Sequence, residues 1–375
     1  MDILSREFTT HVVGREAVSR ALLSGAGLWR AGLVLWLVFS GVIAASLLLG
    51  RQDRARPQIA FISRREGNAA LLLMDVPSGR IMALTTDNRA YGAPVWSPDG
   101  RRLAYVAQEL EGGRSLHIMR LPEREVERVV RFGGNQLIPV WSPNGEKIAL
   151  ISDAYGDRDL VLLDLPSGEL RNLTTSPAPA DTPTWSPDGR WLAFASRDGP
   201  AQDVFVLNVA TGRAYNLTDS PARDISPAWS PDGSQIAFLS DRNGTRELYV
   251  ARVADGTVER ITGHNNPWDT YSWTPPVWSP DGKYLLYVAS FGTQFQLYVT
   301  RLDGSERYRL TANDNQWDAY ARTPPRWDAA TNRIVFESYR DGNRELYMVW
   351  PDGSGLQRLT YHPAEDMAPV WRPAG

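Results

Sequence analysis

Two stretches of this chain carry the side chains best suited to hold another molecule. They run from His264 to Pro276 and from Asn313 to Pro325, and they share the pattern Trp-Asp-x-Tyr-x-x-Thr-Pro-Pro. Trp268, Asp269 and Tyr271 in the first correspond to Trp317, Asp318 and Tyr320 in the second, with Asn265 and Asn313 a few residues upstream. Aromatic rings beside amides and carboxylates can stack on a sugar ring and bond its hydroxyls. The same rigid, amphipathic aromatics also anchor protein partners, and either use competes with simple packing of a long loop onto its neighbours.

Other residue types offer less chemistry. Asp181, Asp224 and Asp366 precede three of the repeated tryptophans described below and could gather a cation or bond nearby backbone. The four histidines, His11, His117, His264 and His362, lack metal-ligand spacing, and the absence of cysteine removes thiolate, disulfide and sulfur-ligated metal chemistry. No Gly-x-Ser-x-Gly elbow, phosphate-cradling glycine loop or His-Glu-x-x-His motif occurs. We therefore assign no catalytic residue, metal ligand or cofactor; a lyase or hydrolase assembled from scattered loop residues is the enzymatic alternative.

What positions these stretches is a repeat. Trp-Ser-Pro-Asp-Gly stands at Trp96, Trp185, Trp229 and Trp278, with one change at Trp141 and eroded copies at Trp327 and Trp371. The seven tryptophans are 45, 44, 44, 49, 49 and 44 residues apart, a period that means one supersecondary unit stacked or arrayed in a ring. Pro-Asp-Gly is turn chemistry, so Asp99, Asp188, Asp232 and Asp281 read as structural despite their number. After each turn comes a short apolar run, such as Ile148–Ile151 or Ile236–Leu239, then a polar loop, a third run, a second glycine turn and a fourth run. Four strands joined by tight turns make a small antiparallel meander.

A proline lies two residues before every one of these tryptophans, from Pro94 to Pro369. Proline cannot donate to a strand ladder, so the tryptophan strand has an open edge, as the innermost strand of a propeller blade has toward the central channel. Residues 58–86 supply the last three strands of a unit that lacks its tryptophan strand, while Pro369–Trp371 is a tryptophan strand with nothing after it. The two deficits match, and the expected fold is all-β: a seven-bladed β-propeller of four-stranded antiparallel blades, closed by the C-terminal strand.

Over residues 58–375 this repeat resembles the TolB-type β-propeller family of WD40-like repeats, whose signature is the Trp-Ser-Pro-Asp-Gly hairpin followed by an Ile-Ala-Phe-like strand. Members are often six-bladed, against seven here, and the separate N-terminal α/β domain of TolB itself is missing. The resemblance implies an extracytoplasmic binding scaffold rather than an enzyme.

Ahead of the propeller, residues 31–50 contain no charged residue and reach the ~20 residues that span a bilayer as a helix. They are expected to form one uncleaved transmembrane helix, after a polar segment 1–30 and before a linker 51–57. Three arginines precede the span within twenty residues and five follow it, which by charge alone would keep the propeller in the cytoplasm. The family resemblance points the other way, and an extracytoplasmic, membrane-anchored propeller is the expectation. Net charge is −3 overall, and beyond residue 56 it comes to −6, a poor match for a nucleic-acid backbone. A protein or peptide partner is expected, with carbohydrate as the alternative.

Overall fold

The apolar runs that follow each tryptophan alternate between two buried faces, and this alternation builds the molecule. A computed structural model of the chain describes residues 56–374, except 87–89, 111, 132–134, 175–177, 198, 200, 264–273, 292–293 and 312–322. In the first such run Ile59 and Phe61 pack to one side while Ala60 and Ile62 pack to the other, all at most 4% exposed. A strand covered on both faces has no polar side, so it must lie between two neighbouring sheets.

The strands form seven four-stranded antiparallel sheets, each running from an inner tryptophan strand to an outer strand. The inner strands are Ala90–Trp96, Gln136–Trp141, Ala180–Trp185, Asp224–Trp229, Val277–Trp278, Arg326–Trp327 and Asp366–Trp371. We number as blade 1 the sheet that combines Asp366–Trp371 with Gln58–Glu66, Asn68–Asp75 and Arg80–Ala83, and count onward along the chain. Ile59 faces Trp371, Ala60 faces Val370, Ile62 faces Met367 and Ser63 faces Asp366. The expected closure of the ring by the C-terminal strand is therefore present.

Between each pair of adjacent blades lies a separate apolar core. One joins Val335, Leu346 and Met348 of blade 7 to Ile59, Phe61, Met74 and Trp371 of blade 1, so the seam is packed like the other junctions. Five of the seven tryptophans, all but Trp229 and Trp327, add a directional link, in which an indole N–H donates to the backbone carbonyl just before the tryptophan of the preceding blade. Trp141 reaches Val95 at 3.1 Å, Trp185 reaches Val140 at 3.1 Å, Trp278 reaches Ala228 at 2.9 Å, and across the seam Trp371 reaches Arg326 at 3.2 Å. This explains the residue type: the ring fills the inter-blade core and its one polar atom meets an otherwise unpaired edge carbonyl.

The turn chemistry is as the sequence implies. Ser230 donates to Asp232 at 2.6 Å, Asp232 accepts the Ser234 N–H at 3.0 Å, and Gly233 closes the turn at φ +73°. A Cβ at Gly100 would come within 2.6 Å of the Pro373 carbonyl, so glycine there is also required by the tail that closes the ring. The Leu-Thr pairs expected to end the outer strands lie just beyond them. There the threonine hydroxyl caps the third strand: Thr174, Thr218, Thr262, Thr311 and Thr360 accept the N–H of Leu160, Val204, Leu248, Leu297 and Leu346 at 2.9–3.1 Å.

The apolar segment 31–50 lies outside the described residues. Among those described, no helix is long and apolar enough to cross a membrane.

Candidate functional site

The two long connections begin and end at fixed points. The first leaves blade 5 past Thr262 and enters blade 6 at Pro275-Pro276; the second leaves blade 6 past Thr311 and enters blade 7 at Pro324-Pro325. Thr311 also donates to Gln296 at 2.8 Å, and Arg260 holds the Gly263 carbonyl at 2.8 Å. Asn265, Trp268, Asp269, Tyr271, Asn313, Trp317, Asp318 and Tyr320 themselves lie outside the described residues, as does His264.

Backbone conformation explains why the chain departs from its ladder at these two blades. In blades 3, 4, 5 and 1 the residue before the inner-strand proline, Ile138, Thr182, Ser226 or Ala368, has φ between +47° and +57°. The strand register slips at the same place, so each six-residue inner strand carries a bulge that leaves two residues unpaired and lets the other four pair, two on either side of it. In blades 6 and 7 that position is itself a proline, Pro275 or Pro324, whose ring holds φ near −65° and forbids the left-handed turn. The inner strands there shrink to Val277–Trp278 and Arg326–Trp327. Pro-Pro was visible in the sequence pattern, but its effect on the bulge follows only from the φ values of the other blades.

The acids that could have gathered a cation are instead paired with arginine. Asp366, fully buried, bonds Arg65 at 2.7 Å; Asp224, also fully buried, bonds Arg242 at 3.0 Å; Asp181 lies 3.4 Å from Arg158. Arg242 lies over the rings of Phe238 and Tyr249, 5.4 and 5.0 Å from their centroids, so the polar loop after the second strand clamps its own inner strand. Burial raises the Asp224 pKa, whereas the Ser230 hydroxyl and the Ser234 amide and hydroxyl lower that of Asp232 in its turn. His362 accepts the Ala364 N–H at 3.1 Å, and His117 lies beside Ser115 on the third strand of blade 2. Among the described residues no three acids or histidines come together as a metal site.

The inner strands enclose a cavity of about 570 Å³, walled by Ile62, Val106, Ile138, Met367 and the inner-strand prolines. A second cavity of about 450 Å³ lies at the tryptophan end, and Val95, Val140, Thr184 and Arg326 line both. These residues each precede a blade tryptophan and form the waist of the channel. In the other blades the waist position holds Ala228, Val277 and Val370, so Arg326 is its one charge.

A second departure sits nearby. Glu337 occupies the second-strand position held elsewhere by Ile62, Val106, Ile151, Ala195, Leu239 and Val288. It is 3% exposed, accepts the Ala368 N–H of blade 1 at 2.5 Å and lies 3.5 Å from Arg344, and burial raises its pKa. Neither Arg326 nor Glu337 was singled out from sequence, although aligning the seven copies exposes both.

With this geometry in place, comparison with known proteins fixes the family. A family model described as the TolB beta propeller domain matches residues 48–202 and 136–315. The chain belongs to the TolB β-propeller family. Among solved structures, this TolB-family propeller is similar to TolB from Acinetobacter baumannii at 19% identity and a TM-score of 0.55, covering 84% of this chain and 83% of that one. It is similar to an oligogalacturonate lyase solved with manganese at 18% identity and a TM-score of 0.65, covering 79% and 86%. A Mycobacterium tuberculosis puromycin-hydrolyzing peptidase matches at 16% identity and a TM-score of 0.64, over 83% of this chain and 54% of the peptidase. At such identities the likeness is one of fold. Proteins of this fold thus include a lyase and a peptidase as well as TolB, and function must be argued from the site.

Proposed function

We propose that this protein is a membrane-anchored, non-catalytic scaffold that binds a protein or peptide partner through the face carrying the 264–276 and 313–325 connections. The observation that carries this reading is the pairing of the two connections. They are matched in sequence, enter neighbouring blades, and are mounted on stems fixed by the Thr262 and Thr311 caps and the two Pro-Pro entrances. Two matched sets of Trp, Asp and Tyr in connections that lead into neighbouring blades suit the aromatic, central anchors of a protein interface. Family membership supports the same kind of role. In this proposal residues 31–50 span the membrane and the propeller lies on its outer side, with Trp268, Asp269, Tyr271, Trp317, Asp318 and Tyr320 as contact residues.

The test is an affinity pull-down with the full-length protein beside a glycan array, using the parent and a Trp268→Ala, Trp317→Ala double variant. A stable protein partner captured by the parent and lost by the variant is the expected result. Sugar binding lost in the same variant would replace the proposal with a carbohydrate-binding role. A double variant that unfolds would reassign the aromatics to packing.

A further inference from the structure

The seven blades act as controls for one another, and at the channel waist six of them agree. Residues preceding the tryptophans are Val, Ala or Thr in every blade except blade 7, which places Arg326 there. Elsewhere in the described fold, some partly buried arginines are matched with acids, Arg65 with Asp366, Arg242 with Asp224 and Arg344 with Glu337, while Arg372 bonds the Gly100 carbonyl and the Gln58 amide oxygen and Arg333 meets the Met348 sulfur and the Trp350 ring. Arg326 is different. Its guanidinium makes no hydrogen bond or ion pair among the described residues, and burial alone accounts for its pKa being lowered to about 10. The side chain is partly buried and borders both cavities, so a guanidinium unmatched among the described residues is open to an incoming anion.

The surroundings narrow what would complete the site. Arg326 lines a cavity of about 570 Å³, within the roughly 300–1,000 Å³ of small-molecule sites. The other walls are mostly aliphatic or proline; Thr184 shares the waist with Arg326, and Thr182 and Thr323 add hydroxyls elsewhere on the described wall. One planar, five-donor cation above apolar walls suits a single carboxylate, which it can bind in a bidentate manner. A phosphate dianion would bring surplus charge into a cavity with one cation to meet it. We propose that the central cavity is a binding site for a monocarboxylate with an apolar body, its carboxylate held by Arg326 at the waist. This site does not depend on the partner-binding face proposed above.

Isothermal titration of the full-length protein with 4-phenylbutyrate, and with an apolar tripeptide bearing a free C-terminus, tests the proposal against the amide of each. The acids are expected to bind at least about tenfold more tightly than the amides, in line with a charged hydrogen-bonded pair. Arg326→Met should abolish that difference. Tighter binding of the tripeptide would identify a chain terminus as the source of the carboxylate; tighter binding of phenylbutyrate, a free acid. The proposal is overturned if the parent binds neither acid, if acid and amide bind alike, or if the Met variant keeps the preference. Should that variant fail to fold, the acid and amide comparison on the parent decides alone.

Discussion

Trp371 and Trp327 hold equivalent places in neighbouring blades, yet the structure assigns them different weights. Trp371 is 8% exposed and its indole N–H reaches across the seam to the Arg326 carbonyl at 3.2 Å. Trp327 is only partly buried, and its N–H turns back to Asn332 of its own eroded turn at 2.7 Å. Replacing Trp371 by Ala should cost about 3–5 kcal/mol in lost packing, and leaving the Arg326 carbonyl unpaired adds ~1 kcal/mol. Replacing Trp327 by Ala should cost about 1–2 kcal/mol, because the ring is already partly exposed and its indole N–H bonds only within its own blade. With an unfolding entropy of ~2.1 cal/mol/K per residue over the propeller, each kcal/mol shifts Tm by about 1.5 °C. Trp371→Ala should therefore melt roughly 6–9 °C below the parent and Trp327→Ala roughly 2–3 °C below, read by near-ultraviolet circular dichroism and checked by urea midpoints at constant slope. Equal shifts in the two variants would refute the claim that indole bonds between blades and burial at the seam hold the ring together.

Two further outcomes follow from the same geometry. Ending the chain at Pro363 removes Asp366–Trp371 and uncovers the edge of Gln58–Glu66, so the truncated protein should aggregate or melt well below Trp371→Ala; melting like the parent would reject closure by the tail. Glu337 holds its proton to a higher pH in the native state than in the unfolded chain, because burial raises its pKa. Its contribution to stability is therefore lost as pH rises from the ordinary carboxylate range through the raised value. Glu337→Gln should flatten that part of a profile of urea midpoint against pH, and superimposable profiles would count against a buried, titrating carboxylate.

The parts of this fold that were legible in sequence are those repeated in residue type. Pro-Asp-Gly announces a turn wherever it occurs, a proline two residues before each tryptophan announces an open edge, and the missing first strand of one unit matches the orphan strand at the C-terminus. Local chemistry determines each of these, so each can be read from one copy and checked on the next. The indole bonds between blades could not be read, because donor and acceptor lie about 45 residues apart with nothing local to couple them. The pairing of Asp224 with Arg242 and of Asp366 with Arg65 was hidden likewise, and so those acids looked available for a cation. Arg326 and Glu337 were overlooked for the opposite reason: attention to what the copies share passes over the single copy that differs. The length of the two long connections was plain from the spacing, while their aromatic residues lie outside the described part of the structure.

The departures from the repeat are not spread evenly around the ring. Both long connections enter blades 6 and 7, only these blades have inner strands of two residues, and blade 7 alone carries Arg326, Glu337 and the eroded turn at Asp328–Asn332. A repeat kept only for stability has no reason to concentrate its irregularities, since each blade meets its neighbours through the same kind of core. Places where a chain breaks its own local rules are where demands other than folding are expected to act. A cation unmatched among the described residues at the waist and a shortened pair of inner strands both depart from the repeat, and they do so in the one sector whose sequence also carries the matched aromatic connections. That coincidence supports placing the proposed partner-binding face in blades 6 and 7, and it makes the outer strands of blades 2 to 4, away from the cavity walls, the place where substitutions should alter stability and leave partner binding unchanged.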